Sequence, residues 1–222
     1  MIKLIVFDWD DVFTLGSTEG YYACYHAAVV GVGVSLTYEE EMKRIASKWG
    51  APHTQEIEAL LVEDPELVGK AVEIFEQSLF GDVFVDKLSI IDGGVELLNV
   101  LSQHYALAIA SGVHPKVLKE RVFNKFQIPA VFSEIITAYD LDDPEKSKPH
   151  SHSIELIMGR TGVKPDETLM VGDGKNDILM AKNAHVKSVA VLTGHMDYKE
   201  AKQVGADYII DKVTDLPSVL AQ

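Results

Sequence analysis

The segment Ile5-Val6-Phe7-Asp8-Trp9-Asp10 places two carboxylates directly after a short apolar run. Residues 2–7 are mostly apolar and end at Asp8, which predicts a fully buried β-strand. Three later segments bring hydroxyl, lysine and further carboxylate groups: Leu107-Ala108-Ile109-Ala110-Ser111-Gly112, Ser147-Lys148-Pro149 and Leu169-Met170-Val171-Gly172-Asp173-Gly174-Lys175-Asn176-Asp177. If the apolar runs are parallel strands of one sheet, their carboxyl ends lie side by side and gather these groups at one crevice.

The composition limits the classes of partner. The chain has 222 residues, 47% of them hydrophobic, which is enough for a sizeable buried core. Its formal net charge is −14. Such a surface repels the phosphate backbone of nucleic acids and anionic lipid, so we expect neither nucleic acid nor a membrane as partner. An anionic substrate would need local positive charge, from a metal ion or a placed lysine.

The chain carries a single cysteine, Cys24, so an intramolecular disulfide cannot form. Its apolar neighbours favour a small buried hydrophobic residue over a catalytic thiol. The apolar run at the start is too short for a signal peptide, and no stretch is long and apolar enough to span a bilayer. These features predict a cytoplasmic protein.

The order of predicted elements changes after the first strand. Residues 18–80 show helical periodicity, with Thr37 and Glu40 at the capping-box spacing before one helix. Beyond residue 88, helices alternate with strands expected near 106–110, 134–137, 168–171, 188–192 and 207–210, which predicts a parallel sheet covered on both faces. We therefore expect an α/β protein with a Rossmann-like, doubly wound core (1–14 and 87–222) and a smaller all-helical cap domain (15–86) inserted after strand 1.

Two pairs of acids are candidates for chemistry. Asp8 and Asp10 point to the same side of an extended chain, where they could share a proton or bind a hard cation such as Mg²⁺. A bare Asp-x-Asp is at least as often an acidic turn. Asp173 and Asp177 follow another buried strand at a helix start, where the helix dipole favours acids. Simple helix capping is the alternative there.

A hydroxyl and a lysine complete the set. Ser111 and Gly112 end a strand before a helix, where a hydroxyl and backbone N–H groups can hold an anion. Ser-Gly is also ordinary turn chemistry, and Lys148 lies in a charged loop where a solvated surface lysine is the common case. Each pattern alone is weak, so the order of all of them along the chain carries the argument.

In that order the four segments resemble the haloacid dehalogenase superfamily of phosphohydrolases. Its pattern is Asp-x-Asp after strand 1, Ser or Thr after strand 2, a Lys before a helix, and Gly-Asp-x-x-x-Asp near strand 4. The helical insert is similar to the cap of the phosphoglycolate-phosphatase-like branch. The chain departs from the pattern at Asp11, where the family usually has Gly, and at Val12, where Thr is common.

The resemblance implies roles for the acids. Asp8 would be the nucleophile that forms an aspartyl-phosphate, and Asp10 would protonate the leaving oxygen and later activate water. Mg²⁺ would be held by Asp8, the backbone carbonyl of Asp10, and Asp173. Asp177 would be a more distant or water-mediated ligand. Asp11 would add negative charge beside the anion site.

The same resemblance implies that Ser111, the Gly112 N–H and Lys148 hold the phosphoryl oxygens. The predicted function is a Mg²⁺-dependent phosphatase that acts on a small phosphorylated metabolite. A sugar phosphomutase of the same superfamily and a catalytically silent binding protein are the alternatives. Gly20, Tyr21 and Tyr22 occupy the stretch where such mutases carry a histidine, which argues against a mutase.

The loop between two predicted cap helices is similar to the substrate-specificity loop of such caps. Its candidate contacts to the leaving group are Gly50, Pro52, His53 and Thr54. A helix-breaking surface loop is an equally good interpretation of these residues. His150 and His152 invite a zinc interpretation that no nearby third ligand supports. The sequence does not indicate the identity of the substrate or the oligomeric state.

Overall fold

The computed structural model of the protein describes residues 1–46, 48 and 51–221. Within these residues the strands are β1 (Leu4–Phe7), β2 (Thr14–Leu15), β3 (Ser89–Ile90), β4 (Ala106–Ser111), β5 (Phe132–Thr137), β6 (Thr168–Gly172), β7 (Lys187–Val191) and β8 (Tyr208–Ile210). Six of them form one parallel sheet in the order β5-β4-β1-β6-β7-β8, and β2 pairs with β3 in a separate antiparallel ribbon.

Strand β1 lies at the centre of the sheet, and its side chains are fully buried. Alternate residues serve opposite faces: Ile5 and Phe7 join one hydrophobic cluster, while Leu4 and Val6 join another. This two-sided burial is why parallel strands are nearly continuous apolar runs rather than alternating ones. It confirms the predicted α/β fold with a doubly wound parallel sheet.

The register of β1 sets the position of the polar groups. Phe7 pairs with Ile109 of β4 on one side and with Val171 of β6 on the other. The residues that follow, Asp8 after β1 and Asp173 after β6, therefore emerge at the same edge as the end of β4. The chain leaves β1 toward β4 and β5, then returns to build the other half of the sheet from β6. The crevice at such a reversal is the usual ligand site of open α/β sheets.

Between β2 and β3 the chain is helical, with α1 (Ser17–Gly31), α2 (Tyr38–Ala46), α3 (His53–Leu60), α4 (Val68–Phe80) and α5 (Asp82–Val85). Two glycines of α1 allow close helix packing. A Cβ on Gly20 would lie 2.8 Å from the Phe84 ring, and one on Gly31 would lie 2.8 Å from Ile74. Glycine inside a helix costs roughly 0.5–1 kcal/mol relative to alanine, which this close approach to α4 and α5 offsets.

After β3, helices alternate with the remaining strands as expected. They are α6 (Gly94–Leu101), α7 (Phe123–Phe126), α8 (His152–Thr161), α9 (Lys175–Asn183), α10 (Tyr198–Val204) and α11 (Leu216–Leu220). A π-helical stretch, Val117–Val122, runs directly into α7. Each expected strand is present within two residues of its expected bounds. None of the described helices is both long and apolar enough to cross a membrane.

The capping box predicted before α2 is also present. The Thr37 N–H donates to Glu40 Oε2 at 2.8 Å, and the Glu40 N–H donates to Thr37 Oγ1 at 3.3 Å. The β2–β3 ribbon is a feature that the sequence pattern did not predict. It places Thr14 opposite Ile90 and Leu15 opposite Ser89, so that the chain enters and leaves the helical segment through paired strands.

Candidate active site

Lys148 lies between two carboxylates at the carboxyl edge of the sheet. Its Nζ is 2.8 Å from Asp8 Oδ1 and 2.7 Å from Asp177 Oδ1. Burial alone would lower the pKa of Lys148, but the carboxylates of Asp177 and Asp8 outweigh it and hold the pKa above the ordinary 10.5. The lysine is therefore a fixed positive charge at the point where β1 meets the start of α9.

Three carboxylates converge around this lysine. Oxygen atoms of Asp8, Asp173 and Asp177 all lie within 4.8 Å of one another. Burial, followed by repulsion from Asp177 and Asp8, raises the pKa of Asp173 well above its usual value. Burial is also the main reason that the pKa of Asp177 is raised. Three close carboxylate oxygens beside one lysine form a hard, anionic donor set of the kind that binds Mg²⁺.

Backbone groups fix two of these carboxylates. The His195 N–H donates to Asp173 Oδ2 at 3.0 Å, and the Gly174 N–H donates to Asp177 Oδ2 at 3.0 Å. Glycines leave the space that the carboxylates occupy. A Cβ on Gly194 would overlap Asp173, and a Cβ on Gly172 would overlap Asp177. Gly172 and Gly194 thus form a glycine cradle for the two carboxylates, and it requires glycine because the backbone approaches each acid so closely.

Asp10 has different surroundings from the other acids. Its Oδ1 accepts a hydrogen bond from Ser17 Oγ at 2.9 Å and a longer one from Thr14 Oγ1 at 3.4 Å. Burial, with repulsion from Asp8 and Asp11, raises its pKa from 3.8 to about 7. Asp10 is thus poised to give and to take a proton near neutral pH, while Asp8 faces the lysine.

Asp11 occupies a left-handed backbone position, with φ 55°, which explains why glycine suits this place in the pattern. Aspartate is among the residues that tolerate this conformation. The Asp11 N–H donates to the Thr14 carbonyl at 2.7 Å, and its carboxylate accepts from Thr18 Oγ1 at 3.4 Å. Its Oδ2 lies 3.9 Å from His195 Nε2. The departure from the pattern is therefore accommodated locally, and it adds a carboxylate beside Asp173.

A cavity of about 290 Å³ joins the sheet edge to the helical segment. Its floor includes Asp8, Asp10, Ser111, Gly112 and Lys148, together with Asp173 and Asp177, so the core residues predicted from sequence meet in one place. Ser111 is buried at the end of β4, and its Oγ accepts from the Val113 N–H at 3.4 Å. The volume suits a small metabolite rather than a polymer.

The structure places the predicted specificity residues of the helical segment in different surroundings. His53 lines the cavity, and it lies at the first position of α3. Pro52 precedes the helix and is half-buried outside the lining, and Thr54 is exposed because it occupies a different face of α3. Gly50 lies outside the described residues.

Other lining residues were not predicted from the sequence: Tyr21, Tyr25, Glu56, His114, Tyr139 and His195. For two of them a signal was available. His114 follows Ser111 by three residues after β4, and His195 follows β7, so both come after strands at the same edge of the sheet.

Residues 2–185 match the family model described as haloacid dehalogenase-like hydrolase. A pyrophosphatase PpaX of Oceanobacillus iheyensis is 36% identical over 93 residues, which cover 42% of this chain and 42% of that protein. The match thus spans about two fifths of the pyrophosphatase.

Two further relatives extend over the full chain. A phosphoglycolate phosphatase of Vibrio parahaemolyticus is 28% identical over 233 residues, covering 99% of this chain and 96% of that protein. The crystal structure of a predicted phosphoglycolate phosphatase from Haemophilus somnus superimposes with a TM-score of 0.83 at 22% identity, over 99% of this chain and 98% of that one. That likeness concerns the fold. Because the family model covers most of the chain, the protein belongs to the haloacid dehalogenase-like hydrolase family.

Proposed function

We propose that the protein is a Mg²⁺-dependent phosphatase that hydrolyses a small phosphorylated metabolite through an aspartyl-phosphate intermediate. The observation that carries the proposal is the placement of Lys148 between Asp8 and Asp177, beside Asp173, on the floor of a cavity of about 290 Å³. The family of the chain and the phosphatase names of its relatives support the same chemistry.

In the first step, an Asp8 oxygen attacks phosphorus, and the bond between phosphorus and the leaving oxygen breaks. Asp10, with its pKa raised to about 7, donates its proton to that leaving oxygen. In the second step, Asp10 takes a proton from a water molecule, which attacks phosphorus and releases inorganic phosphate and free Asp8. The Ser17 and Thr14 hydroxyls hold Asp10 in place for both transfers.

The remaining polar groups of the floor bind the phosphoryl oxygens. Ser111, the Gly112 N–H and Lys148 donate to them as charge shifts onto the leaving group. The donor set fits Mg²⁺, which would be held by Asp8, the Asp10 carbonyl and Asp173, with Asp177 farther out. When bound, the ion neutralises phosphoryl charge that the acidic floor would otherwise repel.

We further propose that residues 15–86 act as a cap domain over a core of 1–14 and 87–222. The cavity supports this division, because its lining comes from the helical segment on one side and the sheet edge on the other. A lid of this kind excludes water from the aspartyl-phosphate until the leaving group has departed.

The test is hydrolysis of p-nitrophenyl phosphate with Mg²⁺ and with EDTA, using wild type, Asp8→Asn and the control Asp166→Asn. Asp166 is exposed on the core and remote from the cavity lining. We expect Mg²⁺-dependent turnover that Asp8→Asn lowers by at least about a thousandfold and Asp166→Asn leaves unchanged. Near-normal turnover by Asp8→Asn would show that Asp8 is not the nucleophile. No turnover by wild type with Mg²⁺, Mn²⁺ or Co²⁺ on any phosphate ester would favour a silent binding protein.

A further inference from the structure

One end of the cavity is lined by a contiguous set of polar and aromatic side chains, the leaving-group cluster: Tyr25, His53, Glu56, His114 and Tyr139. His53 Nδ1 is 2.8 Å from the Tyr139 hydroxyl, and the rings of Tyr139 and His114 lie 4.6 Å apart. The Tyr25 hydroxyl donates to Glu56. Tyr25 and His53 both stack on Phe75, with centroids 4.5 Å and 4.9 Å away.

The cluster lines the same cavity as the phosphate-binding floor. Tyr21 lines the cavity as well, and burial, followed by the nearby Asp10, Tyr139 and Glu56, raises the pKa of its phenol, so Tyr21 lies close to both the floor and the cluster. A phosphate ester whose phosphoryl group rests near Asp8 therefore directs its alcohol portion toward Glu56 and Tyr139. This geometry makes the cluster the surface that the leaving group contacts.

The cluster contains no lysine or arginine, and Lys48, two residues after the lining residue Ala46, is exposed. Among the described lining residues, the lysines are Lys148, held by Asp8 and Asp177, and Lys175, which is exposed at the start of α9. Arg44 of α2 binds the Leu60 carbonyl and Glu63, outside the described lining. Lys116 lies over the Phe80 ring. The positions that the structure does not describe are Ser47, Trp49, Gly50 and Gln222, which carry no ionisable side chains.

The histidines of the cluster do not supply the missing charge. Burial lowers the pKa of His53 and of His114 below the ordinary 6.5, so both imidazoles are neutral at neutral pH. Burial raises the pKa of Tyr139 to about 12, so its phenol keeps its proton. The cluster therefore offers neutral donors and acceptors together with one carboxylate, Glu56.

We propose that the cluster selects an uncharged, hydroxyl-rich leaving group, so that the substrate is a phosphorylated polyol or sugar. This inference rests on the proposed phosphatase function. A leaving group with a carboxylate or a second phosphate would be desolvated beside Glu56, with no cation within the cluster to pair with. A small ammonium group could use Glu56 alone and would leave the phenols and imidazoles without partners, whereas several hydroxyls can bond to all of them.

The experiment compares substrates that differ only in charge. One pair is glycerol 3-phosphate and 3-phosphoglycerate, and the other is sorbitol 6-phosphate and 6-phosphogluconate; in each, a terminal CH₂OH is replaced by a carboxylate. With wild-type protein and Mg²⁺, we expect that in at least one pair the kcat/KM of the polyol phosphate, whose leaving group is uncharged, exceeds that of the corresponding acid by about a hundredfold. Phosphoethanolamine, phosphoglycolate and pyrophosphate are measured alongside and should rank below it.

Glu56→Gln tests the origin of the selectivity, since it keeps the size of the side chain and removes its charge. In the favoured pair, we expect this variant to lower the ratio of the polyol-phosphate kcat/KM to the acid kcat/KM by at least about tenfold. The control is Glu58→Gln, at an exposed residue of α3, and it should leave this ratio unchanged. The substrate pairs need only the wild-type protein, so they test the inference even if the Glu56 variant fails to fold.

The outcomes separate the two proposals. If p-nitrophenyl phosphate is hydrolysed but the acids, phosphoethanolamine or pyrophosphate are turned over as well as the polyol phosphates, the leaving-group inference is wrong and the phosphatase stands. If neither p-nitrophenyl phosphate nor any member of the pairs is hydrolysed, the phosphatase function fails, and the inference fails with it.

Discussion

Replacing Lys148 with methionine keeps the length of the side chain and removes the ammonium group that separates Asp8 from Asp177. At an effective dielectric constant of about 20, each of the two contacts, at 2.8 Å and 2.7 Å, is worth about 6 kcal/mol before desolvation. The desolvation cost of the buried charges cancels much of this. Removing one partner of a buried ion pair therefore costs about 3–5 kcal/mol in practice.

We expect Lys148→Met to lower the free energy of unfolding in EDTA by about 3 kcal/mol, the lower end of that range, because the freed carboxylates can take up protons. Saturating Mg²⁺ should recover more than half of the loss, since the ion supplies positive charge to the same acids. The assay is urea unfolding followed by circular dichroism at neutral pH. The control is Lys119→Met, which removes an exposed lysine far from the site.

A loss below about 1 kcal/mol in EDTA would place Lys148 with ordinary surface lysines and refute the reasoning. A loss of the expected size that Mg²⁺ does not reduce would refute the claim that the ion and the lysine neutralise the same carboxylates.

The remaining predictions concern pH, a substitution at the departure from the family pattern, and the glycine cradle. The folded-state pKa of Asp10 is raised from 3.8 to about 7, so its protonated form stabilises the metal-free protein fully below about pH 4, and this contribution is lost as the pH rises through 7. Urea midpoints in EDTA should fall over that range, and Asp10→Asn should flatten the fall; an Asn variant with an equally steep fall would contradict the assignment. Asp11→Asn should raise kcat/KM for p-nitrophenyl phosphate by about threefold to tenfold, because it removes a charge that repels phosphate while asparagine tolerates φ 55°; an unchanged or lower value would argue against that repulsion. Gly194→Ala should raise the Mg²⁺ concentration for half-maximal activity by about tenfold or more, since its Cβ would overlap Asp173. Gly159→Ala is the control, because a Cβ there would meet open space. If both variants raised the Mg²⁺ requirement equally, the overlap with Asp173 would not be the cause.

Most of the fold could be predicted because the sequence repeats one physical pattern. Each buried parallel strand requires a continuous apolar run, and each run here ends where polar groups begin, as at Phe7–Asp8 and Val171–Asp173. The β2–β3 ribbon could not be found in this way, because two-residue strands are too short to show a period. The four residues of α5 form little more than one turn, which is too short to show the helical period.

The site residues that could be predicted are likewise those marked by a local sequence pattern. Asp8, Ser111, Lys148 and Asp173 lie at strand ends or in an ordered pattern, so a local signal marks them, and the structure brings them together; their catalytic roles stay predictions. The contact between His53 and Tyr139 joins residues 86 positions apart, and no local pattern encodes such a meeting. Ser17 is the first residue of α1, and its hydroxyl binds Asp10 across the turn, another contact that no local pattern encodes.

The short β2–β3 ribbon has a mechanical consequence. Because paired strands run about 4.8 Å apart, the two covalent connections of the helical segment behave as a single pivot rather than two independent anchors. We expect such a lever to swing about one axis, with its largest displacement at the end remote from the pivot. The hydrogen bond between His53 and Tyr139, the ring contact between Phe80 and His114 and the ion pair between Asp82 and Arg121 all join the helical segment to the rest of the chain, so a swing about this pivot has to break them together.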